Sequence, residues 1–346
     1  MRTLVISDLH LGGRAGRDVA RAPVPRARLL TAIADVERLV LLGDVVELLE
    51  ARPDEAMALA EPVLRDIGAA VGPGREVVVV PGNHDRHLIR DWLREDGREL
   101  TSDTVVPPHA GYLLEHLVAM LGAAGATVTV RYPGVWLGER VWATHGHYLD
   151  RHLLPESAFG IARGLLGRLP RDGAAPMEYE QRQSLTSLEG PLTRWLPRWA
   201  IARIDDLVAA ARRATMAGTQ AMAGRSPGHH WVTTARGHLL GLQMRRASIP
   251  ALARVVHRLG IDADDVVFGH VHRLGPRSTD TAEQWTGPGG VPRIWNTGSW
   301  VHESLLLHRM RPPHPYWPGG AVLVHGDGRI EPLMLLEDVA AEDLDA

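Results

Sequence analysis

Arg38-Leu39-Val40-Leu41-Leu42 runs directly into Gly43-Asp44-Val45-Val46-Glu47. Four consecutive apolar residues without alternation predict a strand covered on both faces of a sheet. The strand stops on a glycine, which permits a tight turn, and then a carboxylate. The same design recurs along the chain. Residues 3–7 read as a strand and end in Asp8-Leu9-His10. Residues 76–80 lead to Pro81-Gly82-Asn83-His84-Asp85. Strands over 127–132, 135–137 and 140–143 precede Thr144-His145-Gly146-His147. Residues 265–268 lead to Gly269-His270-Val271-His272, and Ile294-Trp295 to Asn296-Thr297-Gly298-Ser299. Gly326-Asp327-Gly328 between two apolar runs, 321–324 and 329–336, reads as a hairpin turn. Helical periodicity fills 54–70 and 108–124. Ligand sites in α/β sheets gather beyond the carboxyl ends of strands, and the polar clusters stand at that end each time.

Between 149 and 253 the pattern changes. No strand is convincing there, and apolar residues recur at helical spacing, punctuated by Pro170, Pro176, Pro191, Pro197 and Pro227. This predicts a core made of 1–148 and 254–346, interrupted by a mostly helical insertion at 149–253. The insertion leaves the chain directly after His147, so a lid over the site or a dimerisation element is expected of it. Trp195, Trp199 and Trp231 are candidates for an apolar pocket or for packing between its helices. The acidic end of the chain, 337–346, is expected to fray.

Composition narrows the chemistry. The 346 residues are 45% hydrophobic and 23% charged, with a formal net charge of −3, as in an ordinary globular protein. There is no cysteine, which excludes disulfides, thiolate metal sites and cysteine nucleophiles. There is no lysine either, which excludes a Schiff base and a P-loop lysine. The near-neutral charge and the lack of a basic run argue against a stable nucleic-acid partner. The short apolar start ending at Asp8 is unlike a secretory signal, and no stretch reaches the about 18 apolar residues of a membrane span. A cytoplasmic location is expected on these grounds.

Asp8, His10, Asp44, Asn83, His145, His270 and His272 form a nitrogen and oxygen donor set without sulfur. Such a set suits Mn, Fe, Zn, Ni or Co. It is too large for one tetrahedral ion and fits two octahedral ones if a carboxylate bridges.

Asp8-x-His10, Gly43-Asp44-x-x-Glu47, Gly82-Asn83-His84-Asp85, His145-Gly146-His147 and Gly269-His270-x-His272 together resemble the motifs of the calcineurin-like metallophosphoesterase superfamily. The resemblance spans residues 8 to 272. It implies a four-layer αββα sandwich and a centre of two divalent metal ions, manganese being the first choice. By position, one ion falls to Asp8, His10, Asp44 and His272. The other falls to Asp44, Asn83, His145 and His270, with Asp44 bridging and His147 as the alternate to His145. His84 matches the histidine beside the substrate phosphate, as stabiliser or general acid. Glu47 departs from the Asp usual at that place, which normally lies outside the metal shell. Asn296 matches a supporting turn.

The expected reaction is hydrolysis of a phosphomonoester, phosphodiester or diphosphate by a hydroxide bridging the two ions. Asp85 is a candidate to orient His84 or to cap its loop. Arg14, Arg86 and Arg273, close in sequence to the ligands, are candidate phosphate clamps. The substrate is expected to be a small or lipid-linked phosphate ester. A helical lid resembles the bacterial lipid-precursor diphosphate hydrolases of this superfamily, although those have Arg at the place of His84. A nuclease of the same superfamily and a non-catalytic scaffold are the alternatives, and a homodimer is a further expectation.

Overall fold

The computed structural model describes residues 1–13, 16–49, 51–152, 173–180, 248–302, 307 and 311–344. Most of 149–253, including Trp195, Trp199 and Trp231, lies outside the described residues, and so does Arg14.

Among the described residues, eleven strands form two sheets. The larger sheet contains β1 (Thr3–Ile6), β2 (Arg38–Leu41), β3 (Glu76–Val79), β4 (Thr104–Val105) and β5 (Thr127–Tyr132), joined by β10 (Gly320–Val324) and β11 (Ile330–Met334). Its order is β11-β10-β1-β2-β3-β5-β4. The smaller sheet has the order β6-β7-β8-β9, from β6 (Gly134–Trp136), β7 (Val141–Thr144), β8 (Asp265–Phe268) and β9 (Arg293–Asn296).

The continuous apolar strands do what double burial requires. In β1, β2 and β3 alternate side chains enter two different cores. Leu4, Ile6, Leu39, Leu41, Val77 and Val79 pack on helices, whereas Val5, Val40 and Val78 face the second sheet. The inter-sheet core adds Val135, Val141, Ala143 and Val267 from the smaller sheet. On the outer face of that sheet Trp142, Val266, Phe268 and Ile294 pack with Leu252, Val255 and Val256 of a helix over 248–258. Each fully buried Leu, Val or Ile contributes about 1.5–3 kcal/mol.

The helices on the larger sheet are α1 (Pro23–Ala34), α2 (Pro53–Val71), the short α3 (Arg90–Leu93) and α4 (Tyr112–Gly122). In α2, Pro53 occupies the first turn with Asp54 and Glu55, as the helix dipole and the missing proline N–H favour. Ala56, Ala60, Val63, Leu64, Ile67 and Val71 make its buried stripe, and Gly72 at φ 69° ends it. The layers are therefore helix, sheet, sheet, helix, the αββα sandwich expected of the sequence.

β7 and β8 pair in parallel although the whole insertion lies between them. The described parts of that interval include a 3-10 turn His147–Arg151, a short helix Pro176–Glu180 and the helix over 248–258. The chain end differs from expectation: Leu336, Val339 and Leu344 are buried in the helix-side core, so apolar spacing within the acidic tail anchors it. Among the described residues no helix is long and apolar enough to cross a membrane.

Candidate metal centre

The ends of the parallel strands bring the site together. Beyond β1 and β2 the two chains stay paired. Asp8 N–H donates to Gly43 carbonyl oxygen at 3.0 Å, and His10 N–H to that of Asp44 at 2.8 Å. Gly269 N–H donates to the His145 carbonyl at 3.0 Å, which joins the loops after β7 and β8. Asn296 Nδ2 donates to the Gly269 carbonyl at 2.6 Å while its Oδ1 accepts from Gly298 N–H at 2.9 Å, so it braces the His270 loop from a turn.

Backbone strain is concentrated here. Among the described residues, the non-glycine positions with positive φ are Asp8 (54°), His10 (45°), Asp44 (53°), His270 (68°) and His272 (55°). Each such conformation costs on the order of 1–3 kcal/mol and persists where the surroundings enforce it, typically at functional sites. All five belong to the donor set read from the sequence. Two glycines make the approach possible. A Cβ on Gly43, at φ 86°, would collide with the His145 ring, and one on Gly82 with Asp44 Oδ1.

Among the described residues, three groups of side chains have donor atoms close enough to hold a cation. They are Asp8, His10 and His272; His10, Asp44 and His84; and Asp44, His145 and His270. Asp44 Oδ2 lies 3.8 Å from His10 Nε2 and 3.1 Å from His145 Nε2. Asp8 Oδ1 lies 3.1 Å from His272 Nε2 and 3.9 Å from His10 Nε2. Asn83 Oδ1 is 3.1 Å from His145 Nε2. All seven expected ligands are thus gathered, with Asp44 between the two sides. His147 falls in none of the groups, and its Nε2 is turned to Tyr132 Oη at 3.3 Å.

The donor set fits divalent cations. Asp8 Oδ1 and His10 Nε2 are buried without a hydrogen-bond partner, each a lone pair left for an acceptor of another kind. Three imidazoles are fixed through their other nitrogen. His145 Nδ1–H donates to the Leu42 carbonyl at 3.0 Å, His10 Nδ1 meets Glu47 Oε2 at 2.8 Å, and His270 Nε2 meets Asp150 Oδ1 at 3.0 Å. Such partners fix tautomer and ring orientation in metal ligands.

The charges are strongly coupled. Burial pushes Asp8 up, but the imidazoles of His272 and His145 outweigh it and bring its pKa to about 2. Asp44 is likewise raised by burial and carried well below the usual range by His145, His84 and His10. Burial lowers His145, yet Asp44 against its ring brings it up to about 9. Both carboxylates are therefore anionic at neutral pH. A cation binding here displaces protons from the imidazoles.

Of the two readings of Asp85, orienting His84 and capping the loop, the contacts favour the cap. His84 Nδ1 meets Glu47 Oε2 at 2.7 Å, so Glu47 rather than Asp85 orients the ring. Asp85 is fully buried and accepts from Val45 N–H at 2.7 Å and Gly82 N–H at 2.6 Å, which makes it the cap of the loop. Buried backbone donors need an acceptor, and that demand takes the carboxylate away from its sequence neighbour. Glu47, itself pushed up by burial, is held far below the ordinary range by His10 and His84 together.

The arginines are also redirected. Arg273 is buried in a bidentate pair with Asp280, at 3.1 and 2.6 Å, with its guanidinium 5.0 Å above the Trp285 ring. Arg86 Nε and Nη2 donate to Glu180 Oε2 at 2.9 and 2.7 Å. Neither is the free phosphate clamp that nearness in sequence implied, because a guanidinium at this depth requires a carboxylate.

Residues 1–160 match the family model for calcineurin-like phosphoesterase. That stretch is similar to the calcineurin-like phosphoesterase family. It contains Asp8, His10, Asp44, Asn83, His84 and His145, while His270 and His272 come from beyond it and join the same cluster. No curated protein matches the chain.

Proposed function

We propose that this protein is a phosphoesterase working with two divalent cations. In this reading Asp8, His10, Asp44 and His272 hold one, and Asp44, Asn83, His145 and His270 hold the other. The observation that carries it is the position of Asp44, whose carboxylate lies between the His10 and His145 imidazoles and belongs to two of the candidate cation groups. Divalent cations in this set would supply Lewis acidity, polarising phosphoryl oxygens and acidifying a water for attack on phosphorus. Manganese is the first choice among Mn, Fe, Zn, Ni and Co, all of which accept imidazole and carboxylate.

The chain's own part is positioning and proton transfer. Glu47 takes the Nδ1 protons of His10 and His84 on one oxygen. For His10 this leaves the Nε2 lone pair for a cation. For His84 it sets a carboxylate against Nδ1, and a protonated ring would use Nε2–H to stabilise charge on a phosphoryl oxygen or to protonate the leaving oxygen. With Arg86 and Arg273 engaged elsewhere, His84 is the residue assigned to the phosphate among those described. A small or lipid-linked phosphate ester is the proposed substrate class.

The test is a panel of aryl and alkyl phosphomonoesters, diesters and diphosphates, assayed with Mn(II) and after chelation. Hydrolysis that disappears on chelation and returns with metal supports the reading. His84→Ala should retain metal and lose about 10²–10⁴-fold in turnover, less for aryl than for alkyl leaving groups. Equal losses on both would remove the proton-donor role, and no metal-dependent hydrolysis of any member would remove the function.

A further inference from the structure

Behind the candidate centre lies a second polar cluster that the proposed chemistry does not use. Its hub is Glu180, which is 3% exposed and ends the short helix Pro176–Glu180. Glu180 Oε2 takes both Arg86 contacts, at 2.9 and 2.7 Å. Glu180 Oε1 accepts from Tyr148 Oη at 2.6 Å and from Tyr132 Oη, and lies 4.0 Å from His147 Nε2. Tyr132 Oη in turn meets His147 Nε2 at 3.3 Å.

Apart from Tyr132, which ends β5, these partners come from the two loops that carry one half of the donor set. Arg86 stands three residues after Asn83 and two after His84. His147 and Tyr148 stand two and three residues after His145. Asn83 and His145 themselves meet at 3.1 Å. The carboxylate that ties the loops together arrives from the short helix Pro176–Glu180. In contrast, Asp8, His10 and His272 lie on loops with no contact to Glu180 among those described.

Burial raises Glu180, but Arg86 and His147 hold it far below its ordinary range, so the hub is a carboxylate. Four donors on one buried anion fix the geometry of every group attached to it. Ligands set on loops need such a brace, since a shift of a fraction of an ångström degrades coordination.

We infer that Glu180 is a positioning residue, through which the segment 173–180 braces the Asn83/His145 half of the cation site. The inference rests on the two-cation reading above. Its consequence is asymmetric. Loosening Glu180 weakens one cation and spares the other.

The experiment is titration of full-length protein with Mn(II), by calorimetry and by metal content after dialysis, for wild type, Glu180→Gln and Arg86→Met/Glu180→Leu. Glu180→Gln keeps the shape and removes the charge. It should lose about 10–100-fold in affinity for one Mn(II) and leave the other within about twofold, as for lost outer partners of metal ligands. The double variant replaces the ion pair by apolar groups. It should regain thermal stability without regaining the second Mn(II). Should Glu180→Gln fail to fold, Tyr148→Phe removes one donor and should weaken the same single cation by a smaller factor.

A Glu180→Gln or Tyr148→Phe protein that melts earlier yet binds both cations as wild type would overturn the positioning role. Equal weakening of both cations would do the same. A wild-type protein that binds no Mn(II) would instead sink the two-cation reading.

Discussion

At the scale of single residues, the site depends on what stands behind each ligand. Glu47 shows this most clearly. One buried oxygen serves both His10 and His84. Glu47→Gln keeps the volume but replaces a charged acceptor with an amide that presents one oxygen and one NH₂. The expected outcome is a fall in kcat of about 10²-fold or more with a folded protein, together with weaker metal retention through His10. Steady-state kinetics and metal analysis on one preparation check both. The residues that gather at the site were legible in the sequence because each follows an apolar run within a few residues. The role of Glu47 was not, since its partner His84 lies on another loop. Adjacency pointed to Asp85, whose carboxylate instead satisfies the Val45 and Gly82 amides. Arg86 and Arg273 misled for the same reason. A sequence displays a cation but not the buried carboxylate that claims it, and Glu180 lies 94 residues from Arg86.

At the scale of elements, strand ends decide the chemistry. β1, β2 and β3 were readable because double burial forces uninterrupted Val, Leu and Ile. β4, two residues at an edge, carries no such signal and emerges only through its pairing with β5. The turns leaving the strands are strained, and their left-handed residues belong to the candidate donor set. Only the glycines beside them were visible in advance. Gly43 combines φ 86° with a Cβ position already taken by the His145 ring. Gly43→Ala should therefore cost about 1–3 kcal/mol of stability and displace His145 from the cation site. Chemical denaturation and metal retention read the two effects separately. Unchanged values of both would mean that this close approach is not enforced.

At the scale of the whole molecule, two sheets face each other and the long interval between β7 and β8 returns to the core at 173–180. His152 belongs to this contact, with Nε2 2.9 Å from Tyr179 Oη. Burial, then Arg258, Arg254 and Arg151, lower its pKa from 6.5 to about 4. The unfolded chain therefore takes up a proton below pH 6.5 that the folded one refuses until about pH 4. Stability is complete above the unfolded value and is lost as pH falls through that window, by at most about 1.4 kcal/mol per pH unit. His152→Gln should flatten this part of the stability profile relative to wild type, as followed by denaturation between pH 7 and 4. A parallel profile would show that His152 does not carry the dependence. In the proposed centre one carboxylate, that of Asp44, would be shared between two cations. The decisive measurement is the number of Mn(II) ions retained per chain by wild type and by Asp44→Asn, with aryl phosphate hydrolysis assayed on the same samples. The prediction is two ions and chelator-sensitive hydrolysis for wild type, and fewer than one ion with hydrolysis nearly abolished for the folded variant. Two tightly held ions and near-normal hydrolysis in Asp44→Asn would contradict it.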